Sequence, residues 1–181
     1  MKTQIIACTF FLLIPIFLLG QTDGFDVPAI EKAEQTIKKF NEIDTDLDSY
    51  FDHAYGYVVF PSIGKGASVV GGAHGNGVAF EQGNPVGKAT FSQITIGIQF
   101  GGQSYSQIVF FENEEDFDLF KDNKFQFAAQ VSAVALSEGA AADLAYRDGV
   151  AVFTMTKGGL MYEASVGGQK LKFKPFDKKE N

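Results

Sequence analysis

Cysteine is almost missing from this 181-residue chain: Cys8 is the only one. It lies in an N-terminal apolar stretch, so a chain that loses that stretch has no disulfide, no thiolate metal site and no cysteine nucleophile. Tryptophan is absent and histidine is limited to His53 and His74. Two isolated histidines without cysteine or spaced carboxylates do not make a metal site, whose ligands must cluster. Nor does either have a neighbouring nucleophile for general-base chemistry. A basic surplus is lacking: 15 Lys and Arg stand against 22 Asp and Glu, for a net charge of −7. That disfavours nucleic acid, which needs cationic surface to meet its phosphates. The nucleophile elbow Gly-x-Ser-x-Gly is missing too. Gly102-Gln103-Ser104 begins like one, but Ser106 stands where glycine is required. No cofactor, catalytic residue or metal ligand is therefore assigned, and the expected class is non-enzymatic.

What is present begins with a leader. Lys2 supplies positive charge, residues 5–19 are apolar, and the small Gly20 precedes polar Gln21-Thr22-Asp23. This is the layout of a cleaved secretory signal over residues 1–20, and the run is short for a membrane span. Ile6-Ala7-Cys8 resembles a lipoprotein box only superficially, because the apolar run follows the cysteine. The expected location is secreted or periplasmic, without lipid anchoring.

The remainder carries 19 Phe and 20 Gly, a composition that favours strands and tight turns over a helical bundle. Asp26 is placed to cap a helix bearing Ile30, Ala33, Ile37 and Phe40, with Phe25 and Ile30 at staple spacing. A short second helix carries Leu47, Tyr50 and Phe51. From Tyr55 onward the period changes to two. Strands are expected at 57–60, 67–73, 78–81, 94–100 and 105–111, with Gly64-Lys65-Gly66 and His74-Gly75-Asn76-Gly77 read as turns. Asn113 is placed to cap a helix through Lys121, with Phe117, Leu119 and Phe120 inward. Residues 125–136 are read as a strand. Segments 149–156, 160–166 and 169–174 are read as an antiparallel meander. Tyr57, Val59, Ile94, Ile96, Ile98, Phe100, Val109, Phe111, Val152 and Phe153 are the expected core. The predicted fold class is α+β: a single domain, residues 26–175, with an antiparallel β-sheet or partly closed barrel flanked by a few helices and a frayed tail at 176–181.

Several ordered motifs resemble the SYLF-domain family. They are Ala54-Tyr55-Gly56-Tyr57-Val58-Val59-Phe60-Pro61, then Gly64-Lys65-Gly66, Gly71-Gly72 with Gly75 and Gly77, and Gln99-Phe100-Gly101-Gly102-Gln103-Ser104. Phe110-Phe111, Lys157-Gly158-Gly159-Leu160-Met161 and Ser165-Val166-Gly167-Gly168 continue the series, so that it covers roughly residues 30–175. The resemblance implies lipid binding, with phosphoinositides as ligands of some eukaryotic members and actin binding in fungal relatives fused to other modules. An exported chain does not meet cytosolic actin, so the expected partner is a lipid or membrane surface. Lys65, Lys157, Lys170 and Lys172, near predicted turns or in the last strand, are the candidate headgroup contacts, and Phe40 is the candidate for apolar insertion. The alternative is an envelope or stress protein that acts through protein contacts.

The leader makes the first prediction. Intact-mass analysis of the exported protein is expected to place its N-terminus near Gln21. A mature species that keeps Met1, or carries a lipid on Cys8, would contradict it.

Overall fold

A computed structural model describes residues 26–66, 70–96, 103–125, 134–135, 137–156 and 169–177. Helix α1 (Val27–Ile43) starts where Asp26 accepts a hydrogen bond from the Ala29 N–H, with Pro28 in the first turn, where a missing donor is harmless. It ends at Asp44. Helix α2 (Leu47–His53) follows directly. Asp44 is buried between them and accepts N–H groups from Asp46 at 3.1 Å and from Ala141 at 2.8 Å, tying this corner to α4 (Ala140–Asp143). Asn113 caps α3 (Glu114–Lys121) by accepting from the Asp116 N–H. Three acids in the first turn of α3 favour its N-terminal dipole.

The sheet comprises β1 (Gly56–Gly66), β2 (Val70–Glu81), β3 (Asn84–Ile96), β4 (Gln103–Phe111), β5 (Val134–Ala135), β6 (Val150–Thr156) and β7 (Gln169–Pro175). Their order is β5-β6-β4-β1-β2-β3-β7, antiparallel throughout except for the short parallel β5–β6 pair. This is an α+β single domain with an open sheet. The expected terminal meander is not formed: β6 pairs with β4 and β7 pairs with β3, so the two strands lie far apart in the sheet. Segment 160–166 falls outside the described residues, as do 126–133 and 136 of the expected strand at 125–136, of which β5 (Val134–Ala135) is extended. Phe125 itself is a buried residue outside any strand.

Each face of the sheet has its own core. On one side Val58, Phe60, Ile63, Ala79, Phe91, Val109, Phe111, Val152 and Leu171 pack with Phe117 and Phe120 of α3. On the other, Tyr57, Val59, Val78, Phe80, Ile108, Phe110, Ala151 and Phe153 pack under Ala33 and Phe40 of α1 and Leu47 and Tyr50 of α2. Rings dominate both clusters. Phe111 stacks on Phe120 at 5.3 Å and meets Phe117 edge-on, while Phe110 meets Phe51 and Phe153 edge-on. Such geometries add about 0.5–1.5 kcal/mol per pair beyond area burial. The expected core residues Tyr57, Val59, Val109, Phe111, Val152 and Phe153 are buried. Ile94 is not: it is 70% exposed, on the same sheet face as Val78 but at the end that α1 and α2 do not reach. Leu119 likewise points outward, while Phe117 and Phe120 point in. Phe176, assigned to the tail, is buried and donates its N–H to Val86 O.

Neither glycine-rich run in this region is a turn. Gly64-Lys65-Gly66 lies in β1, and His74-Gly75-Asn76-Gly77 runs through β2 in continuous register with β3. The need for glycine there is contact. A Cβ on Gly75 would stand 2.7 Å from Ile63 Cγ1. One on Gly77 would meet the Val59 carbonyl oxygen and stand 2.7 Å from Phe60 Cδ1. Gly64 has open space around it. Gly77→Ala is therefore expected to cost about 1–3 kcal/mol by overpacking, a fall in Tm on the order of 5 °C. Gly64→Ala should be near neutral. Thermal unfolding of the two variants checks this, and equal Tm values would contradict it.

A lysine face on the last two strands

Strand β7 reads Gln-Lys-Leu-Lys-Phe-Lys-Pro. Successive side chains in a strand point to opposite faces. Leu171 is therefore buried and Phe173 packs against the first core, while Lys170, Lys172 and Lys174 stand exposed on the other face. Consecutive members of the row lie roughly 7 Å apart. The register continues the row into β3: Lys170 lies opposite Ser92, Lys172 opposite Thr90 and Lys174 opposite Lys88. Beyond them on β2 are His74, opposite Ser92, and Asn76, opposite Thr90. Neither β3 nor β7 contains an acid.

Lys88 differs from the other three. Its Nζ lies 2.8 Å from Asp26 Oδ2, at the cap of α1. That hydrogen bond is the main reason the Asp26 carboxyl is held below the ordinary carboxylate range. The pair pins the start of α1 to β3 and consumes the Lys88 charge locally. Lys170, Lys172 and Lys174 have no ion-pair partner among the described residues. The outer edge of β7 is held by Asn123, a non-glycine residue at positive φ. Its side chain accepts the Phe173 N–H at 2.8 Å and donates to the Phe173 carbonyl at 3.3 Å.

The candidate contacts thus separate. Lys170 and Lys172 share one open face. Lys65 lies on the opposite face of the sheet, in line with Ala73 and only 7% exposed, and loss of hydration depresses its pKa. It is not a surface contact. Phe40 is fully buried beneath α1, because it occupies the inward position of a helix packed on the sheet. It cannot touch a membrane while α1 stays docked. Lys157 lies outside the described residues. Lys174 and Lys88 belong to the face although sequence reasoning left them out; the alternation of lysine with apolar residues over 170–174 was the signal for Lys174.

Other surfaces are less suited to anions. An open cleft of about 590 Å³ along α3 is lined by Glu114, Glu115, Asp118 and Asp122. A second, of about 460 Å³, lies between α2 and α4, where the Tyr50 hydroxyl donates to the Leu144 carbonyl. Lys121 bridges Glu81 at 2.9 Å and Asp118 at 2.8 Å, and those carboxylates hold it firmly protonated. No described helix is long and apolar enough to cross a membrane.

A family profile described as "Ysc84: Las17-binding protein actin regulator" matches residues 92–177, which include the end of β3, all of β4 and β6, and β7. Beta cell expansion factor A of Aeromonas veronii is 31% identical over 137 residues, covering 74% of this chain and 51% of that protein. The chain therefore spans about half the length of this curated relative.

The two lysine environments separate stability from surface chemistry. Lys65→Glu is expected to lower stability by ~2–3 kcal/mol, since it forces a carboxylate into a dehydrated position. Lys172→Glu should stay within about 0.5 kcal/mol of the parent. Urea denaturation distinguishes them, and equal midpoints would contradict the assignment of Lys65 to the interior.

Proposed function

Because the chain belongs to the SYLF family, whose character is lipid binding, we propose that it is an exported, non-enzymatic module that binds lipid at a membrane surface. The observation that carries this reading is the cluster of exposed lysines on β7 of an otherwise acidic chain. Each such lysine contributes about 1 kcal/mol near an anionic leaflet. Lys170, Lys172 and Lys174 together therefore supply ~3 kcal/mol, short of the ~4 kcal/mol that corresponds to millimolar affinity. The net negative charge opposes even that. Useful binding then requires several lipids engaged at once, or an apolar contribution beside the lysines. Ile94, exposed at the end of β3, supplies one.

Export places the ligand among extracytoplasmic phospholipids, which separates the reading from cytosolic phosphoinositides and actin. Flotation of the purified protein with vesicles tests it. The expected result is recovery with anionic vesicles at low salt, falling as salt rises, because exposed charges are screened over ~8 Å at physiological ionic strength. A folded protein that floats with neither anionic nor zwitterionic vesicles at low salt overturns the reading in favour of protein contacts, for which a pull-down from envelope extract is the next measurement.

A further inference from the structure

Charge on this domain is segregated by element. Acids are in surplus on α2 (Asp48, Asp52) and on α3 (Glu114, Glu115, Asp116, Asp118), while α1 balances Glu31, Glu34 and Glu42 with Lys32, Lys38 and Lys39. The strand pair β3–β7 carries Lys88, Lys170, Lys172 and Lys174 and no acid. The face they share is pleated sheet, not a helix end or a loop. Its members are Thr90, Ser92 and Ile94 of β3, His74 and Asn76 of β2, and the three lysines of β7. The lysines, His74, Asn76 and Ile94 are exposed, and Thr90 and Ser92 are half-buried between them. The face is also fixed before any partner arrives. Leu171 is held in the core, Asn123 clamps the outer edge of β7 at Phe173, and the Lys88–Asp26 pair ties the margin of the face to α1.

We infer that this β3–β7 face docks flat on an anionic phospholipid bilayer, with Lys170, Lys172 and Lys174 meeting separate headgroups and Ile94 entering the interface. The inference rests on the lipid-binding reading above and specifies its surface and its selectivity. Cations in a row about 7 Å apart, standing on a sheet, do not converge on one phosphate as a headgroup pocket would. Recognition therefore follows surface charge density and not headgroup identity. A free phosphate engages at most part of the row and gains little. The hydroxyls of Thr90 and Ser92, one strand away, are placed to donate to the same phosphate layer. α1 stays docked, since the face needs nothing from Phe40.

The test compares two double variants with identical charge change: Lys170→Glu/Lys172→Glu on the face, and Lys38→Glu/Lys39→Glu on the exposed side of α1. Both are titrated, with the parent, against phosphatidylglycerol and phosphatidylserine vesicles of matched surface charge, and Tm is recorded for each. The expected result is about tenfold or greater weakening for the face variant and less than about threefold for the helix variant, with unchanged Tm. Ile94→Ser is expected to weaken binding without altering its salt slope. The parent should bind the two anionic lipids within about twofold of each other, and excess glycerol 3-phosphate should not displace it. Equal weakening by the two double variants, or none by either, overturns the assignment of the surface while leaving lipid binding intact. Strong preference for one lipid at matched charge, or displacement by glycerol 3-phosphate, overturns the flat-docking mode in favour of a pocket. Failure of the folded parent to bind any vesicle removes the lipid-binding reading itself.

Discussion

A single extra residue in β1 governs which side chains the central strand turns inward. Between Phe60 and Ile63 the register slips against both neighbours. Val59 faces Val78 and Ser62 faces Asn76 across β2, while Phe60 faces Gln107 and Ile63 faces Tyr105 across β4. Three steps on β1 thus match two on each partner, which is a β-bulge. Because strand side chains alternate with period two, one inserted residue exchanges the faces of everything beyond it. Tyr57 and Val59 face the α1–α2 side, but Ile63 and Lys65 face the α3 side. The bulge is held by polar contacts: the Ser106 hydroxyl donates to the Pro61 carbonyl at 2.9 Å, and Ser62 and Ser104 hydroxyls pair at 2.9 Å. Gly75 and Gly77 let β2 approach this irregular stretch where a Cβ would strike Ile63 or the Val59 carbonyl.

The same bulge explains what the sequence disclosed and what it concealed. Simple alternation from Tyr57 places Lys65 with Tyr57 and Val59, on the side whose far end is open. The inserted residue sends it to the buried side instead. Glycine added to the difficulty. Gly64-Lys65-Gly66 and His74-Gly75-Asn76-Gly77 have turn composition, yet glycine inside a strand also marks a bulge or a close backbone approach. Composition does not separate the two cases, and only the partner strand does. Local chemistry was more legible. The Asp26 and Asn113 caps, the inward Phe117 and Phe120 and the switch of period after Tyr55 depend on residues a few positions apart. Ile94 shows the limit of periodicity: alternation beginning at Ile94 predicts a strand, which β3 bears out as far as Ile96 while 97–100 lie outside the described residues, but which face is covered depends on where α1 and α2 stop.

Charge distribution follows from this architecture. α2 and α3 carry a surplus of acids on their solvated faces, whereas α1 mixes both signs. β7 carries lysine at every outward position because it is an edge strand among the described residues. Lysines on an edge discourage pairing with another chain, and Asn123 occupies part of the hydrogen-bonding edge directly. Those two features protect the edge, while the face perpendicular to it stays open. A strand defended against β-pairing can therefore still present its side chains to a charged surface, since hydrogen-bonding edge and side-chain face are orthogonal.

Two modes of membrane contact then compete, and packing discriminates between them. Insertion of α1 would have to withdraw Phe40, which is fully buried, together with Ala33 and the partly buried Ile30 and Ile37. A large apolar side chain gains roughly 1.5–3 kcal/mol from burial, and a bilayer interior returns a similar amount per side chain. The exchange is close to neutral in apolar area, yet it also strips cover from Val59, Val78 and Phe80 and breaks the Asp26–Lys88 pair. Contact through β3 and β7 has no such debit, because Lys170, Lys172, Lys174 and Ile94 already face solvent in the folded state. With neither mode strongly driven, the proposed contact through β3 and β7 is the one that leaves the core intact. The apolar stripe of α1 is thus accounted for by the sheet beneath it, and the lysines of β7 by the face they leave open.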